Sequence, residues 1–127
     1  MLHECNRLTL ACSFCVLLFF GVALQYERET EKVDVFSLGN VLYFLVTEGM
    51  DPWDIEDIKT KEVYKRVMDG KRAQFPDKVL ESTHPYEKYV LEAIKLCWIH
   101  DPKERASAQQ VADKLAEGLK VLSNYSP

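Results

Sequence analysis

The chain has 127 residues, a formal net charge of -4 and a sequence pI of about 5.4; 47% of its side chains are apolar and 28% charged. That length holds about one small domain, and the apolar–charged balance excludes wholesale disorder. The acidic balance excludes a basic nucleic-acid footprint as the default, so no nucleic-acid partner is expected. Five Gly and five Pro exclude collagen-like and low-complexity classes, and four Cys are too few for a disulfide scaffold.

Two unlike parts follow one another. Residues 1–26 contain an apolar run, Leu8 to Tyr26, with no charged side chain; only Thr9, Ser13 and Gln25 are strongly polar. As a helix it would measure about 28 Å, against a bilayer core of roughly 30 Å. Three readings stand: a transmembrane or signal-anchor helix, a cleaved signal peptide with Gly21-Val22-Ala23 as small residues at its end, or a buried or non-native segment joined to the domain. Arg7 lies before the run and Arg28 and Lys32 after it, which weakly favours a cytoplasmic C-terminal part. The expected location is single-pass membrane through residues 8–26, or cytoplasmic if that segment is not native. Cys12 and Cys15 form a C-x-x-C inside the run, where burial raises a thiol pKa and leaves it inert. No second Cys pair or Cys-His pair completes a zinc site. Cys5 is a candidate acylation position.

Residues 27–127 read as a soluble helical domain. Asp34 is placed as the N-cap of a helix running to Thr47, whose apolar residues Val35, Phe36, Leu38, Val41, Leu42, Phe44, Leu45 and Val46 cover nearly the whole circumference. At roughly 13 residues it is too short to span a membrane, so it is expected to be a central core helix. Glu48-Gly49 ends it, with Gly49 as the left-handed stop, and Pro52 disfavours continuation.

A second helix is expected over 58–68, with Val63, Val67 and Met68 on one side, and Asp69-Gly70 stops it. Ser82 or Thr83, then Pro85, opens a third, with the stripe Val90, Ile94, Cys97 and Trp98; Asp101-Pro102 closes it. Ser107 with Gln110 forms a capping box for a fourth, buried through Val111, Leu115, Leu119 and Leu122. No strand signal appears, and the fold class is all-α.

Four landmarks, in order and at matching spacing, resemble the C-terminal lobe of the eukaryotic protein kinase family. They are D-V-F-S-L-G (Asp34 to Gly39), G-x-x-P-W (Gly49 to Trp53), Gly70 followed by Pro76, and C-W-x-x-D-P-x-x-R (Cys97 to Arg105). The Cys-Trp pair leans toward the tyrosine-kinase or tyrosine-kinase-like branches. The resemblance covers about residues 28–122 and implies a helical C-lobe fragment preceded by the apolar N-terminal helix. It marks Asp34, Gly39, Pro52, Trp53, Trp98, Asp101 and Arg105 as structural family positions.

The family transfers phosphate from ATP to protein hydroxyls with Mg²⁺, and its chemistry needs a Gly-rich loop, a strand Lys, H-R-D and D-F-G. This sequence has no G-x-G, H-R-D, D-F-G or A-P-E. His3, His84 and His100 precede Glu4, Pro85 and Asp101, and Ala93-Ile94-Lys95 lies in a helical pattern without the loop. No catalytic, cofactor-binding or metal-binding residue is therefore expected, and ATP and Mg²⁺ belong to the complete family domain.

The family's partners for two positions are missing as well. The residue matching Asp34 anchors the catalytic loop, which leaves Asp34 only the capping role. The residue matching Arg105 pairs with the Glu of A-P-E. Arg105 is thus expected to turn to solvent or to find Glu27, Glu29 or Glu31. Ala106 stands where the family usually has Pro.

Three functions compete. One is a kinase-domain fragment unable to catalyse alone. The alternative is a membrane-tethered, non-catalytic interaction module with a protein partner on the second and third helices. The third is an unrelated small helical protein.

Overall fold

The computed structural model describes residues 30–125. The elements are α1 (Thr30–Val46), a 3-10 turn (Asp54–Glu56), α2 (Thr60–Met68), α3 (Asp77–Leu80), α4 (Pro85–Cys97) and α5 (Ala108–Ser123). Among the described residues there is no strand, so the all-α expectation holds there. The expected apolar N-terminal helix, with Cys5, Cys12 and Cys15, lies outside the described residues. Among those that are described, no helix is long and apolar enough to cross a membrane.

α4 sits in the middle, packed on one side by α1 and on the other by α5. Its stripe of Val90, Ile94, Cys97 and Trp98 is buried as the i, i+4, i+7, i+8 spacing requires. Val35, Phe36, Leu42 and Tyr43 of α1 meet it, and Val63 and Val67 of α2 and Val111 of α5 complete the core. The α1–α4 approach is close at Gly39: a Cβ there would stand 2.6 Å from Trp98 Nε1 and 2.7 Å from Cys97 Cβ. Any side chain at that position would force the two helices apart.

Helix ends follow local chemistry. Pro85 occupies the first turn of α4, where its missing N–H costs nothing. Ser107 caps α5 in a full capping box: its Oγ accepts from Gln110 N at 3.2 Å, and Gln110 Oε1 accepts from Ser107 N at 2.8 Å. α2 stops at Gly70 (φ 83°), with Lys71 N donating to Arg66 O at 2.9 Å and Gly70 N to Val67 O at 3.0 Å. That paired pattern closes the last turn around a left-handed residue.

Four expectations are corrected, and one short element, α3, was not foreseen. Asp34 does not cap α1. The described helix already includes Thr30 to Val33, with Val33 buried, so Asp34 lies inside it on the exposed side. α1 stops at Glu48-Gly49 as expected, but Glu48 (φ 60°) takes the first left-handed position ahead of Gly49 (φ 107°): Gly49 N donates to Phe44 O at 2.8 Å and Glu48 N to Leu45 O at 3.2 Å.

α4 closes at Cys97, before Asp101-Pro102, with Trp98 as its last half-turn. Leu119 is 55% exposed. It lies about 80° around the helix from Val111, whereas Gly118 lies about 20° from it and takes the buried position. α3 is a single turn after Pro76, too short to leave a periodic signal.

Candidate functional site

The densest polar arrangement forms where the loop after α4 returns to the start of α1. Asp101 shapes the loop: its Oδ1 accepts from Lys103 N at 2.9 Å, and its carbonyl accepts from Arg105 N at 2.9 Å. This turn drives the Arg105 side chain inward, where the residue is only 2% exposed. Its guanidinium donates to the carbonyls of Ile99 (2.8 Å), Lys32 (2.8 Å) and His100 (3.0 Å). Lys32 Nζ donates in return to Arg105 O. The expectation that Arg105 turns to solvent is overturned. A planar fork with five donors can be satisfied inside by backbone carbonyls that the loop and α1 already present. Glu27 and Glu29, its other expected partners, lie outside the described residues.

Phe36 lies between two guanidinium groups, Arg105 at 5.2 Å and Arg72 at 5.0 Å from its ring centre. Arg72 donates to Trp98 O at 2.6 Å, Lys71 O at 2.7 Å and Val67 O at 3.3 Å, tying the end of α2 to the end of α4. Burial, and next the nearby Arg105 charge, lower the Arg72 pKa to about 10.

The neighbouring layer is aromatic. Trp98 Nε1 donates to Asn40 Oδ1 at 3.1 Å in a fully buried bond. Tyr43 stands 5.7 Å from Trp98 and 5.4 Å from Phe75, and its hydroxyl donates to Gln74 O at 2.6 Å. Burial, and then Asp54 and Glu56, push the Tyr43 phenol up to about 12. Burial likewise pushes the Cys97 thiol up to about 12 against the opposing pull of Arg105, so it is protonated and unreactive at neutral pH.

Of the family positions, Gly39 and Trp98 meet directly, while Asp101 positions Arg105. Trp53 is buried in a left-handed conformation (φ 79°), with Arg66 6.0 Å above its ring and bonded to Glu56 at 3.0 Å. Pro52 is half-buried beside it, and Asp34 is exposed. Lys95 is exposed on α4, as its helical pattern implies. Arg72, Asn40 and Tyr43 escaped the sequence reading. Asn40 carried a legible signal: a lone amide in an apolar helix needs a buried partner.

This arrangement holds helices together. The bonds of Arg105 and Arg72 given above go to main-chain carbonyls and that of Trp98 to Asn40, and among the described residues no group of His, Cys, Asp or Glu could hold a metal ion.

Residues 22–115 match the family model for protein tyrosine and serine/threonine kinases. Tyrosine-protein kinase Btk of Drosophila melanogaster is 32% identical over 101 residues, 80% of this chain and 12% of that protein. Insulin receptor-related protein of Mus musculus is 31% identical over 91 residues, 72% of this chain and 6% of that protein. Inactive tyrosine-protein kinase RYK of Caenorhabditis elegans is 32% identical over 103 residues, 81% and 16% respectively. The chain thus spans between 6% and 16% of the length of these relatives. Gly39 against Trp98 and the inward Arg105 give a physical reason for the motif spacing noted above, and the chain belongs to the protein tyrosine and serine/threonine kinase family, of whose domain it carries a C-terminal part.

Proposed function

We propose that these 127 residues are a non-catalytic part of a protein kinase domain, a helical base that does not transfer phosphate by itself. The observation that carries this reading is the pairing of a complete helical hub with a sequence lacking every phosphate-handling motif. Phosphoryl transfer is achieved by positioning and charge stabilisation around ATP and Mg²⁺. The buried guanidinium of Arg105 and the half-buried one of Arg72 donate to main-chain carbonyls. A relative of similar identity carries the name of an inactive tyrosine-protein kinase, which agrees with a non-catalytic role.

The test is transfer of labelled γ-phosphate from Mg-ATP to mixed Tyr, Ser and Thr peptides, using chain that shows a cooperative unfolding transition. Incorporation equal to a protein-free blank is expected. Incorporation that rises with chain concentration overturns the proposal.

A second reading, a membrane-tethered interaction module with α2 and α4 as the docking surface, draws on the uncharged run Leu8 to Tyr26. Retention in the membrane pellet after an alkaline carbonate wash supports it; release into the supernatant counts against it.

A further inference from the structure

α2 divides its surface sharply. Val63 and Val67 are buried, and Lys65 lies on the side directly opposite them. At about 100° per residue, Tyr64, Met68, Lys61 and Lys65 fall within roughly 100° of outward arc. All four are exposed, Tyr64 and Met68 at 42% each. No carboxylate interrupts that arc. Glu62 lies on the far flank, where it and Glu56 take Arg66 at 3.3 and 3.0 Å. Lys61 and Lys65 make no ion pair among the described residues. Exposed Lys59 and Lys71 stand just before and just after the helix.

The segment is basic in an acidic chain. Residues 59–72 hold six basic and two acidic side chains, whereas the whole chain holds 16 and 20. An anionic surface attracts this one edge and repels the rest, which fixes an orientation.

We propose that the face of α2 formed by Lys61, Tyr64, Lys65 and Met68 lies on an anionic phospholipid surface. Charge complementarity selects the sign, and shape selects lipid over an acidic peptide. The arc is the convex back of a helix, and the open groove between Val46 and Val79 takes none of its lining from α2. The donors agree. Both arginines of the segment are engaged by the protein itself, Arg66 by Glu56 and Glu62 and Arg72 by main-chain carbonyls. What faces outward is lysine, a point charge without the planar fork that suits a peptide carboxylate. Tyr64 and Met68 place apolar bodies among the headgroups, with the tyrosine hydroxyl left in water. The inference needs neither phosphoryl transfer nor the run Leu8 to Tyr26, and so goes beyond both readings above.

Lysine acylation of the full chain, read by mass-spectrometric mapping, tests it. Vesicles of phosphatidylcholine with phosphatidylserine should slow labelling of Lys61 and Lys65 several-fold relative to phosphatidylcholine alone. Exposed Lys88 and Lys120, on α4 and α5, should label alike in both. The comparison of two vesicle types cancels any insertion by the run. Equal labelling of Lys61 and Lys65 in both, or equal protection of Lys88 and Lys120, overturns the proposal. Polyglutamate that protects Lys61 and Lys65 as well as the vesicles do at matched charge also overturns it, and assigns the face to an acidic protein. Lys61→Gln is the second measurement. A lysine near such a surface contributes roughly five-fold to binding, so the variant should need more phosphatidylserine to half-protect Lys65. An unchanged requirement overturns the proposal as well.

Discussion

The two halves of α1 have the same apolar character and opposite surroundings. In the N-terminal half, Phe36 is held between two arginines, Gly39 lies against Trp98, and Asn40 bonds the indole. In the C-terminal half, Leu45 is largely exposed, and the helix ends in a strained left-handed Glu48. The lesson is that hydrophobicity alone does not secure a helix end. The tight part is tied by directed bonds from Trp98 and Arg105, far away in sequence; past Tyr43, which bonds Gln74, the last turn of the helix has only the exposed Glu48–Lys78 pair.

Removing the tight half's anchor should have the largest effect. Arg105→Ala strips three carbonyl acceptors of their donor and leaves a void against Phe36. A loss of about 3–5 kcal/mol is expected in chemical denaturation, enough to unfold a domain of this size. Arg105→Lys should recover less than half, since an ammonium cannot fork across three carbonyls. A loss below about 1 kcal/mol for the alanine variant would erase the distinction between the halves.

Alkaline pH should loosen the same region. The Cys97 thiol and the Tyr43 phenol have ordinary values of 9.0 and 10.0 and hold their protons to about 12 when folded. The unfolded state therefore loses protons first. Stability is intact below about pH 9 and falls as pH rises toward 12, by at most about 1.4 kcal/mol per pH unit for each group. Denaturation midpoints from pH 8 to 11 check this, and Tyr43→Phe should flatten the part above pH 10. A profile flat across that range would contradict the burial of both groups.

The smallest effect belongs to the loose end and has the opposite sign. Glu48→Gly relieves a left-handed strain at the cost of greater unfolded-state freedom, for a net gain of about 0.5–1 kcal/mol. The lost Lys78 pair subtracts little, because both side chains are largely exposed. A destabilised Glu48→Gly variant would mean that the side chain, and not the backbone, decides how α1 ends.

What was legible in the sequence was local. Ser107 with Gln110, Pro85 and the Val90–Trp98 stripe declare themselves within a few residues, and the structure bears them out. Misreadings arose where a local rule met a distant partner. Asp34 has the chemistry of a cap, yet the burial of Val33 carries the helix past it. Leu119 fits an i+4 ladder, yet the drift of 3.6 residues per turn gives the buried place to Gly118. The site followed the same division. Gly39, Trp98 and Arg105 stood out through motif spacing. The inward turn of Arg105 depends on carbonyls up to 73 residues away, and nothing in its neighbours announces them.

That last separation has a consequence for how the chain is made. Lys32 and Arg105 bind each other's carbonyls, and this clasp cannot close until residue 105 has left the ribosome. At roughly 5–20 residues per second, α1, complete at Val46, waits about 3–12 s for its anchor to be made. During that interval a helix that is apolar nearly all round has neither Trp98 nor Arg105 to cover it. Emerging chains are therefore natural clients for chaperones that shield nonpolar segments, and stalling translation between residues 50 and 95 should trap them in that bound form.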